Sequence, residues 1–205
     1  MAVFFMDFPY FQVFSTVAAP AKLKVTITPY VAPTLPTEPT YYQFSTEPLK
    51  SAAPAGADST APATVGGLTI GSGVRVLVQS ATIPSAFQSE GLASFTNCLS
   101  TRGGGNTTQR YVIIPLEGPA TITVIGASNN DSTLITLNVT NTVSSTASLG
   151  TFSTTLPLWG AEGGLGAPTF TYTQAMFDAQ EANEKQIVLK PSASARIYVI
   201  KVEYN

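Results

Sequence analysis

Nine short runs between residues 68 and 205 carry the two-residue period of a β-strand, and turn residues separate them. They are LTIGSGVRVLVQ (68–79), SFTNCLST (94–101), RYVIIPLE (110–117), ATITVIGAS (120–128), TLITLNVT (133–140), LGTFSTTL (149–156), PTFTYTQ (168–174), KQIVLKPS (185–192) and RIYVIKVEYN (196–205). Apolar and polar residues alternate within them, β-branched and aromatic types abound, and GGG, GP, NND and PS breaks fall between. A helix cannot use that period, so the pattern points to an all-β architecture, an antiparallel sandwich or barrel, and about nine strands suit a sandwich of two packed sheets. In the last run, Ile197, Val199, Lys201 and Glu203 are expected on one face and Tyr198, Ile200, Val202 and Tyr204 on the other. The second set is wholly apolar and is expected to line the core. Residues 175–185, AMFDAQEANEK, read as one or two helical turns joining the last strands. No internal repeat of fixed period is present, which argues against a solenoid or propeller.

The first 66 residues have a different texture. Six of the first fourteen are aromatic (Phe4, Phe5, Phe8, Tyr10, Phe11 and Phe14), with no Lys or Arg among them. A secretory signal needs a cationic start and an unbroken apolar stretch; here no cation precedes the run, and Asp7, Pro9 and Gln12 interrupt it. It is also too short and broken to cross a bilayer. Residues 23–31 and 40–46 alternate like strands, and Pro29, Pro33, Pro36 and Pro39 forbid helix through them. Residues 1–46 are therefore expected to form an extended arm with one or two strands. In residues 47–66, small and turn-forming types replace almost all large apolar ones, which reads as a linker. The sandwich is expected to span 67–205. So much apolar surface in the arm must be covered by something, and burial of each ring would contribute about 1.5–3 kcal/mol before ordering costs.

Composition narrows the chemistry. Charged residues make up 11% of the chain and formal net charge is -2, with no basic cluster, so neither nucleic acid nor membrane is an expected partner. A surface so poor in charge favours association with other protein, and a homo-oligomer is expected. Histidine is absent, which removes His-based catalytic relays and His-containing zinc sites. Cys98, the single cysteine, has no basic neighbour in sequence and reads as a small buried hydrophobe. Asp178, Glu181 and Glu184 could share one face of the short helix, but glycoside hydrolysis needs carboxyls across a cleft, and Glu181 four before Lys185 is an ordinary solvated helix pair. Asn129, Asn130 and Asp131 read as a hairpin turn rather than a calcium site. The glycine-rich 101–108 stretch lacks the residues of a phosphate loop and reads as a flexible surface loop. No catalytic residue, metal or cofactor is expected. Trp159, the single tryptophan, lies in LPLWGAEGGLGAP, where it either anchors a long loop or, with Tyr172, offers a platform to a sugar ring.

RYVIIPLEGPATITVIGAS, TLITLNVT, LGTFSTTL and the closing ARIYVIKVEYN together resemble the sandwich modules attached to secreted polysaccharide-active proteins of gut Bacteroidetes. The resemblance covers residues 110–205 and rests on structural motifs; it implies a jelly-roll-like fold and glycan contact. Joined to an adhesive aromatic arm, such a sandwich also resembles the auxiliary capsid or head-fibre proteins of crAss-like phages, by architecture. That resemblance implies a non-enzymatic virion protein, assembled in the host cytoplasm, with the major capsid or other virion proteins as partners. The rival expectation is an extracellular carbohydrate-binding or adhesin module contacting surface glycans.

Overall fold

The computed structural model describes residues 34–55, 57–129, 132–160, 164–181 and 184–205. The chain separates into two units, Met1–Ala32 and Pro33–Asn205, and the second contains every strand described below. The aromatic residues Phe4, Phe5, Phe8, Tyr10, Phe11 and Phe14, and the run at 23–31, lie outside the described residues.

Twelve strands are present among the described residues: β1 Thr40–Gln43, β2 Ala63–Val65, β3 Leu68–Ile70, β4 Arg75–Ala81, β5 Phe95–Ser100, β6 Val112–Pro115, β7 Ala120–Ser128, β8 Leu137–Thr140, β9 Gly150–Thr151, β10 Thr169–Tyr172, β11 Gln186–Pro191 and β12 Ala195–Tyr204. They form two antiparallel sheets. The first runs β10-β7-β12-β5-β4, with β1 also paired to β12; the second runs β2-β3-β6-β11-β8-β9. Their inner faces close one core, in which Ile122, Val124, Ile200 and Val202 of the first sheet meet Leu68, Val112, Leu137 and Leu189 of the second. This is the sandwich that the alternating runs require.

The sandwich begins earlier in the chain than residue 67. β1 pairs with β12 from Thr40↔Val202 to Gln43↔Val199, and Phe44 beside it is wholly buried in the core. Residues 47–66 are likewise built in: Leu49, Ala52 and Ala53 are buried, and β2 forms an edge of the second sheet. The boundary drawn at 66/67 falls inside a hairpin, because Val65 pairs with Leu68 across Gly66 and Gly67. Both glycines have positive φ, 58° and 88°, which a two-residue hairpin turn with strand-matching twist demands. Composition hid this, since small residues pack tightly without supplying the bulk by which a core is recognised.

β5 and β1 share one edge of β12. Ser100 and Leu99 pair with Arg196 and Ile197, after which β5 leaves and β1 takes the place beside Val199 onward. Ser45 fills the fork: its hydroxyl accepts from the amides of Thr96 (2.9 Å) and Asn97 (3.1 Å) and donates to the Asn97 carbonyl (3.1 Å).

β12 departs from simple alternation. Its register against β7 slips between Ile197, opposite Gly126, and Val199, opposite Ile125, leaving Tyr198 as an extra residue. Such a bulge places two successive side chains on one face. Ile200, Val202 and Tyr204 do meet the inner core as the period predicts, but Ile197 joins them, while Tyr198 turns to the outer face beside Val199.

The short helix α1 spans Gln174–Asp178, and its N-cap Thr173 accepts from the Met176 amide. Lys185 does not form the expected pair with Glu181. Its ammonium donates to the carbonyls of Phe177 and Gln180 at the helix's end and lies over the Phe177 ring, where free carbonyls attract a cation. The 101–108 loop is held down as well: the Gly105 amide donates to Pro191 (2.7 Å), and a Cβ on Gly105 would meet the Lys190 backbone at 3.0 Å.

Candidate functional site

The bulge in β12 creates a second apolar layer on the outer face of the first sheet. Phe95, Cys98, Ile125, Ala127, Leu165, Tyr198 and Val199 are buried there beneath the segments that precede β5 and β10. A covered outer face is unusual for an antiparallel sheet, which commonly leaves one side to water.

Trp159 belongs to this layer. Its loop is fastened to the edge of β7 on both sides: the Ser128 amide donates to Pro157 (2.7 Å), and Gly126 and Gly166 exchange backbone hydrogen bonds (3.0 and 2.9 Å). Gly160 and Gly164, with φ of 82° and 71°, let the chain turn between those anchors. The indole is half-buried, stacked near-parallel to Tyr198 at 6.5 Å, and Tyr198 stacks in turn on Phe95 at 5.4 Å. The Arg196 guanidinium lies 4.1 Å from the indole centre and is itself oriented by Asn129, whose Oδ1 accepts from Nε at 2.7 Å. Trp159 thus anchors its loop through ring stacking and a cation–π contact. Beside it, Ala81, Thr82, Gly160, Gly164 and Leu165 help to line a shallow hollow of about 230 Å3.

Tyr172 is in a different place. It lies in the inner core, wholly buried, with its hydroxyl donating to the Met176 carbonyl at 3.4 Å and Phe177 edge-on to its ring. A ring enclosed on both faces presents nothing to a sugar, so Tyr172 is a core residue and not a glycan platform.

Further along the same outer face, Glu90 fastens the segment before β5. Its carboxylate accepts from Lys201 Nζ at 2.7 Å and from the Tyr41 hydroxyl at 3.0 Å, while Glu203 approaches Lys201 at 3.1 Å. Burial pulls the Lys201 pKa down, but hydrogen bonding and charge from Glu90 and Glu203 outweigh it and hold the value above the ordinary one. Cys98 is buried against Tyr198, and loss of water pushes its thiol up to about 11. A thiol so placed is poorly nucleophilic at neutral pH. Among the described residues, no three His, Cys, Asp or Glu side chains gather as a metal-binding cluster.

Sequence reasoning singled out Trp159 but not its partners. Arg196 and Tyr198 stood in a run read only for its alternation, and nothing in that period announces a bulge. The outer layer left one signal: the strands of the first sheet, notably ITVIGA in β7, carry apolar residues at both parities, the mark of a sheet buried on two sides. No protein-family model matches this chain, and no curated protein matches it either.

Proposed function

We propose that this protein is a non-enzymatic structural component of a phage virion, an accessory decoration, cement or head-fibre protein that attaches through its aromatic N-terminal segment and displays the sandwich. The observation that carries this reading is the concentration of six aromatic rings within residues 1–14, on a chain whose described residues already supply the inner core and a second apolar layer. Large apolar side chains in such density are best explained by burial against another protein surface. The low charge content favours the same assignment, because it suits a chain packed in a lattice of neighbours. The major capsid protein, or another virion protein, is the partner this reading requires, with copies of the chain as further neighbours.

The test is co-sedimentation with purified particles in a density gradient. The intact chain is expected to travel with the particles, and deletion of residues 1–14 to release it while the thermal transition of the sandwich stays in place. Recovery of the deletion variant on particles, or of the intact chain only in the soluble fraction, would refute attachment through that segment.

A second reading, an extracellular carbohydrate-binding or adhesin module, draws on the hollow beside the half-buried Trp159. Trp159→Ala with retained fold and lost glycan-array binding would favour it. Because Trp159 also packs on Tyr198, circular dichroism must accompany the binding measurement.

A further inference from the structure

The outer face of the second sheet carries an open groove, about 360 Å3, lined mostly by Asn, Ser and Thr residues between the 101–110 loop and the 141–149 loop. Its size lies at the lower end of small-molecule pockets, ~300–1,000 Å3. Lys190 of β11 and Asn138 of β8, register partners in the ladder, help to form it. Thr107 and Thr146 stand exposed on its two sides.

Lys190 is the unusual member. It is only 7% exposed, and lysine is rarely buried without a carboxylate. None lies within ion-pair distance of it among the described residues. Two of its ammonium protons go to the carbonyls of Val143 (2.8 Å) and Ser145 (2.9 Å), which ties down the 141–149 loop. The third has no acceptor among the described residues, and Lys190 is one of the residues that line the groove. Loss of water lowers its pKa, a penalty that an incoming anion would offset.

The surroundings specify what kind of anion. The Thr107 and Thr146 hydroxyls have no partner among the described residues, whereas Asn138 spends its amide N–H on the Lys190 carbonyl and keeps Oδ1 for a donor. Asn106 also lines the groove; its Oδ1 accepts three bonds from Thr108 and Gln109, which leaves its amide NH2 to donate. A ligand using all of these groups carries one anionic group together with several hydroxyls that can both donate and accept. We infer that this groove binds an acidic saccharide, a hexuronate unit of a polysaccharide, with its carboxylate on Lys190 and its ring hydroxyls on Asn138, Asn106, Thr107 and Thr146. The groove lies on the opposite sheet from Trp159 and is independent of attachment through the aromatic segment.

Titration calorimetry of the full chain with a short oligogalacturonate tests this, with the fully methyl-esterified oligomer and sodium sulfate as parallel arms. The acid is expected to bind, and the ester, which keeps the hydroxyls but lacks the charge, to bind at least about tenfold more weakly. Sulfate alone is expected to be weaker still. Lys190→Gln should cost at least about tenfold in affinity. Since that change also frees the 141–149 loop, the paired Thr107→Ala and Thr146→Ala variant provides the second arm, with weakened binding at an unchanged thermal midpoint. Absence of binding, equal affinity for acid and ester, sulfate binding as tightly as the oligomer, or no loss in the threonine variant would each overturn the assignment. None of these outcomes bears on particle co-sedimentation.

Discussion

Gly126 stands opposite the start of the bulge, where β12 presses its backbone against β7. A Cβ there would lie 2.4 Å from the Arg196 carbonyl oxygen, and that atom belongs to a central strand with no room to retreat. Gly126→Ala is therefore expected to destabilise the fold by about 1–3 kcal/mol or more through overpacking, read as a lower urea midpoint. Cys98 makes a second residue-scale test. With its thiol held at about 11 by burial beneath the outer layer, it should resist a thiol reagent at pH 8 in the native state and react readily in urea. Fast native labelling would mean that the outer layer opens easily. Burial of Cys98 was legible, because a lone cysteine in an apolar strand is most often packed. The glycine's purpose was not legible, because the atom that excludes a side chain belongs to a strand seventy residues away in sequence, roughly, and meets it only after pairing.

At the scale of elements, strand identity was written plainly and strand phase was not. Alternation placed Ile200, Val202 and Tyr204 correctly, yet a single inserted residue reversed Ile197 and Tyr198, and no local period encodes where an insertion is absorbed. The same blindness applies to the fork between β1 and β5. Residues 40–46 read as a strand, but pairing to their own β12 depends on a vacancy that β5 leaves. Ser45 is what makes that vacancy tolerable, since without its hydroxyl the Thr96 and Asn97 amides lose an acceptor. Ser45→Ala is expected to cost about 0.5–1.5 kcal/mol and to speed hydrogen exchange at Thr96 and Asn97 before the rest of β5. Unchanged exchange at those two amides would show that water substitutes fully for the hydroxyl.

At the scale of the described sandwich, the central strands β7 and β12 of the first sheet are largely buried on both faces, and each apolar layer encloses a protonated group that water would ionise more easily. Tyr172 sits in the inner core with its phenol pushed up to about 12, and Cys98 sits in the outer layer at about 11. Tyr198, also in the outer layer, is raised in the same direction by burial. For each, the folded value exceeds the unfolded one, about 10 for the phenols and 9 for the thiol. Folding therefore favours the protonated form, and the associated stability is intact below pH 9 and lost as pH climbs through 11 and 12. Every such group steepens the decline by up to about 1.4 kcal/mol per pH unit. Thermal midpoints measured from pH 8 to pH 12 should thus hold nearly level and then fall with increasing slope. Tyr172→Phe gives up a hydrogen bond of 3.4 Å, a loss of about 0.5–1.5 kcal/mol at neutral pH, but it removes one ionisation from the folded core. Its midpoint should start slightly below the parent's and descend less steeply above pH 10, so that the two curves converge. Parallel curves would mean that the phenol is reached by water in the native state, which the enclosure of both layers forbids.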